Sequence, residues 1–227
     1  GKDDWQSDEL VRMIRALQPD ILLNNRSEIP GDFVTPEQFQ PKAWIEVDGR
    51  RVVWEACQTL NGSWGYDRDN LDWKSPDLLV RMLVDAVSNG GNMLLNVGPT
   101  ARGEFDPRAE ATLAAIGDWM RRHGRAIYGA TASDFAPPPD CRFTQRGNRL
   151  YLHVFAWPFR AIHLDGFAGK VAYAQLLHDG SEIRLREGAP GEGGNTTESG
   201  VGPDTLTLQL PIQRPDVLVP VIELFLR

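Results

Sequence analysis

Five short stretches of this 227-residue sequence gather the side chains from which a binding or catalytic surface is built. They are Asn24-Asn25-Arg26; Gly31 to Gln38, which holds Asp32 and Glu37; Trp54-Glu55-Ala56-Cys57-Gln58-Thr59; Ser63-Trp64-Gly65-Tyr66; and the polar turn Asn96-Val97-Gly98-Pro99-Thr100. Arginine, carboxylates and tryptophans together suit a carbohydrate, because an indole packs on the apolar face of a pyranose while charged groups hydrogen-bond its hydroxyls. Taken singly, each has a plainer explanation. Arg26 and Asp32 fit a surface ion pair, Trp54 a core residue, and Trp64 a loop aromatic packed under a neighbour.

These stretches recur at one place in a pattern of alternating helices and strands. Leu10, Ile14 and Leu17 repeat at helical spacing from Ser7 to Gln18, with Ser7 and Asp8 as cap and first-turn residues and Pro19 as the stop. Ile21 to Leu23 follow as a short apolar run, read as a strand buried on both faces, and Val52 to Cys57 is a second. Ser75 as N-cap, Pro76 in the first turn, Leu79, Leu83 and Val87 on one face and Gly90-Gly91 beyond the end predict a helix over 75–88. Met93 to Val97 is the next strand, and Asp106-Pro107 opens a helix with Leu113, Ile116 and Met120 apolar and Gly124 as its end. Alternation of this kind predicts an α/β architecture. In a barrel of parallel strands the active site lies at the strands' carboxyl ends, where the chemical stretches fall.

Beyond Pro137-Pro138-Pro139 the helical period disappears. Short alternating runs at 150–155, 161–164, 171–177, 183–185, 205–210 and 217–226 predict an all-β part, an antiparallel β-sandwich, with Gly188 to Gly202 as a polar loop. The aromatics Tyr151, Phe155, Trp157 and Tyr173 are expected in its core rather than on a binding surface. The boundary is placed within 129–140, giving domains of 1–130 and 131–227.

Charge and composition narrow the function. A formal net charge of −7 disfavours a nucleic-acid partner, which is met by a basic patch. No apolar stretch approaches the roughly 18 residues of a membrane span, so no membrane partner is expected. Cys57 and Cys141 are far apart and read as free thiols, and the four histidines share no spacing with carboxylates or thiols, so neither a metal nor a cofactor is expected. The sequons at Asn61 and Asn195 are read as chance, and no basic stretch leads into an apolar core as a secretory signal would.

In order, these segments resemble the α-L-fucosidases of glycoside hydrolase family 29. The resemblance runs from about Trp5 to Tyr128. It is carried by Leu17-Gln18-Pro19-Asp20 leading to Asn25-Arg26, by 31–38, by 63–66, and above all by the ungapped run from Asp85 through Ser88-Asn89-Gly90-Gly91-Asn92 to Pro99. Ile116-Gly117-Asp118-Trp119-Met120 and Ala126-Ile127-Tyr128-Gly129 resemble the family's closing barrel helix.

The resemblance implies a TIM-like (β/α)8 barrel followed by a β-sandwich. With about 250 residues in a whole barrel, residues 1–130 would form a partial one. It also implies retaining hydrolysis of terminal α-L-fucosyl linkages by two carboxyl groups about 5 to 5.5 Å apart. Glu37 falls where the acid/base glutamate lies in some members, Arg26 where an arginine contacts fucose, and Trp64 where an aromatic lines the apolar side of the pocket. An acid/base carboxyl has to keep its proton near neutrality, through burial or a neighbouring negative charge. The family's nucleophilic aspartate lies in a Trp-Phe-Asp-Gly-like motif ending the strand before the first helix. That motif is not among these residues, and Gly1 matches its glycine. The resemblance therefore implies a chain that acts with fucosylated carbohydrate but supplies one carboxylate of the pair. Its partner is expected to be a complementary amino-terminal half-barrel or a second copy, since a partial barrel leaves a strand edge and an apolar face uncovered. The competing reading is an inactive fucosidase-derived fragment that binds sugar weakly or serves only as a scaffold.

Overall fold

The computed structural model describes residues 1–188 and 201–227, and contacts divide the chain into two units. The first comprises residues 1–74 and 89–106, the second residues 75–88 and 107–227. Among the described residues no helix is long and apolar enough to cross a membrane.

The first unit opens with α1 (Ser7–Leu17), closed by the Gln18 N–H on the Ile14 carbonyl at 2.8 Å. Gln6, left-handed at φ 50°, is the residue that flanks its start. Ser7 is therefore the first helical residue and not the cap, and its buried hydroxyl has no hydrogen-bond partner among the described residues. The parallel layer follows. Asn24 bridges Phe33, Val34 bridges Trp54, and Glu37 bridges Cys57. Strand β3 (Glu55–Thr59) then pairs β4 (Asn92–Asn96) from Glu55↔Asn92 to Thr59↔Asn96. A two-residue ribbon, β1 (Glu46–Val47) with β2 (Arg50–Arg51), turns through Asp48 and Gly49, both at positive φ.

Ile21 to Leu23 do not form the buried strand their apolarity predicts. Ile21 and Leu22 are exposed, and side chains take two of the run's backbone groups, while the Leu23 carbonyl accepts the Asp32 N–H at 2.7 Å. The Leu23 N–H donates to the Asp32 carboxylate at 2.7 Å, and Arg15 donates to the Ile21 carbonyl.

The glycine pair before β4 is a packing device. A Cβ on Gly90, which sits at φ 75°, would meet the Trp44 ring, and one on Gly91 would meet the Trp54 ring. Trp54 is fully buried and donates from Nε1 to the Asn89 carbonyl at 3.2 Å, so it is the core residue that its plainer explanation makes it.

In the second unit α2 (Pro76–Ser88) begins where Ser75 Oγ accepts the Leu78 N–H at 3.1 Å. It packs with α3 (Pro107–His123) against a four-stranded antiparallel sheet in the order β5 (Cys141–Arg146), β6 (Arg149–Val154), β11 (Val221–Leu226), β8 (Val171–Leu176). The other face of that sheet shares a core with a three-stranded sheet of β7 (Ala161–Leu164), β10 (Leu206–Gln209) and β9 (Arg184–Glu187). Leu150, Leu152, Ile222 and Leu224 meet Ile162, Leu164, Leu206 and Leu208 there, which makes an antiparallel β-sandwich. Covered on both faces, β6 is buried from Leu150 to Val154 without alternation. Tyr151 packs with the helices, and Trp119 donates from its ring nitrogen to the Val219 carbonyl at 2.8 Å. Cys141 is buried and Cys57 half-buried, both as free thiols. The predicted loop from Gly188 to Gly202 and the Asn195 sequon lie largely outside the described residues.

Candidate active site

Arg26 sits in a short 3-10 turn, Asn25–Ser27, begun by the Asn24 side chain, which accepts the Arg26 N–H at 3.0 Å. Its guanidinium closes on the neighbouring parallel segment. Nε donates to Thr35 Oγ1 at 2.6 Å, Nη2 to the Thr35 carbonyl at 3.4 Å, and Nη1 to Glu37 Oε2. Asn25 Oδ1 accepts the Thr35 N–H at 3.1 Å, so both segments are tied by side chain and backbone. The hydrogen bond to Glu37 holds the Arg26 pKa above its ordinary value. Both groups are half exposed, at 46% for Arg26 and 41% for Glu37, so the pair is open to a ligand. Glu37 Oε1 has no hydrogen-bond partner among the described residues.

The backbone around Glu37 is fixed by its successor. Gln38 is left-handed at φ 51°, a conformation that side chains other than glycine seldom adopt. Its N–H donates to the Cys57 carbonyl at 2.9 Å, and its side-chain amide to Thr59 Oγ1 at 3.0 Å. Thr59 is fully buried; its hydroxyl accepts the Gly62 N–H at 2.8 Å and its carbonyl the Lys74 ammonium at 2.6 Å. Burial holds the Lys74 pKa below its usual value. Gln38 and Thr59 lie in stretches marked from sequence but given no role there, and Lys74 was not marked; what the three do shows only where the strands meet.

Trp64 stands on the loop that leaves β3, 40% exposed. Its carbonyl accepts the Asn96 side chain at 2.8 Å, and a Cβ on Gly98 would fall 2.6 Å from the Gly65 carbonyl carbon. The loop is thus seated on the carboxyl end of β4. Among the described residues no hydrogen bond, ion pair or ring contact joins the Trp64 side chain to Arg26 or Glu37. The structure therefore brings two of the three sequence-predicted site residues into contact and holds the third on a separate loop of the same unit.

Asp32 is not the partner of Arg26. It pairs with Arg15 at 2.5 Å, and the Leu23 N–H, with Arg15 beside it, holds its pKa below the carboxylate range. Cys57, in register with Glu37, has its thiol pKa raised by burial and drawn back by the Arg26 guanidinium. No group of three or more His, Cys, Asp or Glu among the described residues is placed to hold a metal ion. What the arrangement offers is one oriented carboxyl with a free oxygen, a guanidinium beside it, and, on a separate loop of the same unit, an exposed indole.

The family model described as alpha-L-fucosidase matches residues 1–125. An α-L-fucosidase of Branchiostoma floridae is 35% identical over 111 residues, covering 46% of this chain and 25% of that protein. Among solved structures, α-L-fucosidase isoenzyme 1 from Paenibacillus thiaminolyticus superposes with a TM-score of 0.89 at 41% identity, over 99% of this chain and 54% of that one. A Bacteroides thetaiotaomicron GH29 α-L-fucosidase, trapped as a covalent intermediate with 2-fluoro-fucosyl fluoride in a glutamate-to-glutamine mutant, superposes with a TM-score of 0.80 at 27% identity, over 98% and 53%. The chain thus spans about a quarter of this curated relative's length and about half of the solved structures.

Proposed function

Since the chain belongs to the α-L-fucosidase family, glycoside hydrolase family 29, we propose that it supplies the acid/base side of a retaining α-L-fucosidase site, with Glu37 as the proton carrier and Arg26 and Trp64 as sugar contacts. The observation that carries this reading is the fixed placement of Glu37 between the Arg26 guanidinium and the strained Gln38. Flexible surface glutamates are not held this way from both sides. The charged neighbour of Glu37 here is positive, and the negative charge that an acid/base carboxyl needs beside it comes, in this reading, from the nucleophile of the complementary segment.

In the first step a carboxylate attacks the anomeric carbon while the Glu37 carboxyl gives its proton to the departing glycosidic oxygen. In the second step the Glu37 carboxylate takes a proton from water, whose oxygen attacks the same carbon and releases the first carboxylate. Two inversions leave the configuration retained. Trapping of a covalent intermediate in the Bacteroides relative by a glutamate-to-glutamine mutant is in keeping with this division of labour. The attacking carboxylate is assigned to none of these 227 residues.

In this reading residues 1–130 are a partial (β/α)8 barrel and residues 131–227 its sandwich domain. The remainder of the barrel, with the nucleophile, comes from a complementary amino-terminal segment, and self-association of the chain is the substitute when that segment is lacking. Support comes from α1: Leu10, Ile14 and Leu17 line one helical face, and Leu10 and Leu17 are exposed, as is Leu22 beyond. The substrate class is a fucosylated carbohydrate. The test is hydrolysis of an aryl α-L-fucoside by the chain supplied with such a segment. Glu37→Gln is expected to lower kcat by about 10²- to 10⁴-fold. Unchanged turnover in the variant would remove Glu37 from the mechanism, and sugar binding without turnover in the unaltered protein would favour an inactive, sugar-binding relic.

A further inference from the structure

A second charged site lies on the sandwich. Glu223, from the middle of β11, is 4% exposed, yet it is a carboxylate on a sheet face. It accepts from Arg125 Nη2 at 2.7 Å and Gln175 Nε2 at 2.7 Å, with Arg149 Nε at 3.7 Å. Arg146 completes the wall, and together these side chains and Tyr151 line a cavity of about 380 Å³. Three guanidinium groups face one carboxylate here, which leaves two positive charges unbalanced, because arginine stays protonated at any ordinary pH.

Each guanidinium has five N–H donors, and few of these fifteen are used. Arg125 spends one on Glu223. Arg146 makes a single long bond, 3.5 Å, to the Tyr128 carbonyl. Arg149 lies with its guanidinium carbon 3.7 Å from the centre of the Phe225 ring, which fixes its plane. Glu223 and Phe225 thus orient the forks of two arginines from below while the cavity stays open above them. We propose that this cavity is a binding site for a tetrahedral oxyanion, a free sulfate or phosphate or the same group carried as an ester on a saccharide. Its volume is at the low end of ligand pockets and admits such a group with one attached ring. The proposal does not rest on the fucosidase reading, since every residue in it belongs to the sandwich and its flanking turn.

The test is titration calorimetry on the full chain with sodium sulfate, with galactose 6-sulfate and with galactose, each at ionic strength matched by sodium chloride. Saturable binding is expected for both sulfates and none for galactose. Equal affinity for the two sulfates would mark a free ion as the occupant, and tighter binding of the sugar sulfate a saccharide ester. Arg146→Gln, which breaks no ion pair with Glu223, is expected to weaken sulfate binding about tenfold with an unchanged thermal midpoint. Glu223→Gln is expected to strengthen it if the variant folds. No saturable binding by either sulfate, galactose binding as well as its sulfate, or an Arg146→Gln chain that binds as before would overturn the proposal.

Discussion

Arg26 holds Thr35 twice and Glu37 once from a single planar fork. An ammonium is one point charge and does not reproduce that geometry. In a chain supplied with the nucleophile-bearing segment, Arg26→Lys is therefore expected, on the proposed reading, to lower kcat/KM for a fucoside by about tenfold or more, although the charge is kept. Equal kinetics in the lysine variant would mean that the fork positions nothing. A second residue-scale effect belongs to stability. His123 and His153 are fully buried, and burial pushes their pKa values down to about 4 and about 3. Unfolded, both titrate near 6.5, so above that pH neither state gains protons. As pH falls below it the unfolded chain takes up protons that the native one refuses, and stability drops until the folded pKa values are reached. The expected loss is on the order of a few kcal/mol by pH 4, read as a thermal midpoint that falls between pH 7 and 5. The fall should be shallower in His153→Gln, and a flat midpoint would contradict it. The sequence shows the types and order of Arg26, Glu37 and Trp64; it does not show that Arg26 chooses Glu37 over Asp32. That choice depends on which carboxylate the parallel bridge at Glu37↔Cys57 places beside it.

Among elements, the most legible were those whose ends carry their own chemistry. Ser75, Pro76 and Gly90 bracket α2, and the run Ala161–Leu164 is bounded by turn residues on both sides. The run at Ile21 failed as a strand because apolarity reports burial only when a neighbour supplies hydrogen bonds. Strand β5 was passed over behind the three prolines, although Gly147-Asn148 between Arg146 and Arg149 is a two-residue hairpin signal that marks it. Asp48-Gly49 marks the β1–β2 ribbon in the same way. The bare sequence gives no hint that Gly90-Gly91 is a seat for two indoles. Gly91→Ala should lower stability by about 1–3 kcal/mol by overpacking against Trp54. A chemical-denaturation midpoint equal to that of the unaltered chain would show that the ring can yield.

At the scale of the whole molecule, the two units present different surfaces. The sandwich buries an apolar core between its sheets and a second one under its helices. In the first unit Trp5, Leu17 and Leu22 are each more than 70% exposed. Exposed apolar surface of that kind predicts association, so light scattering of the chain alone should give a mass above the monomer, and a monodisperse monomer would reject that expectation. The most direct measurement of the central claim is azide rescue. Glu37→Gln, in a chain supplied with the nucleophile-bearing segment, should form the fucosyl intermediate from an activated aryl fucoside and stall for want of a base. Azide needs no deprotonation, so it should restore turnover and yield a fucosyl azide of retained configuration. An unimpaired variant, or one that azide leaves inactive while substrate still binds, would contradict the assignment of Glu37 as the acid/base.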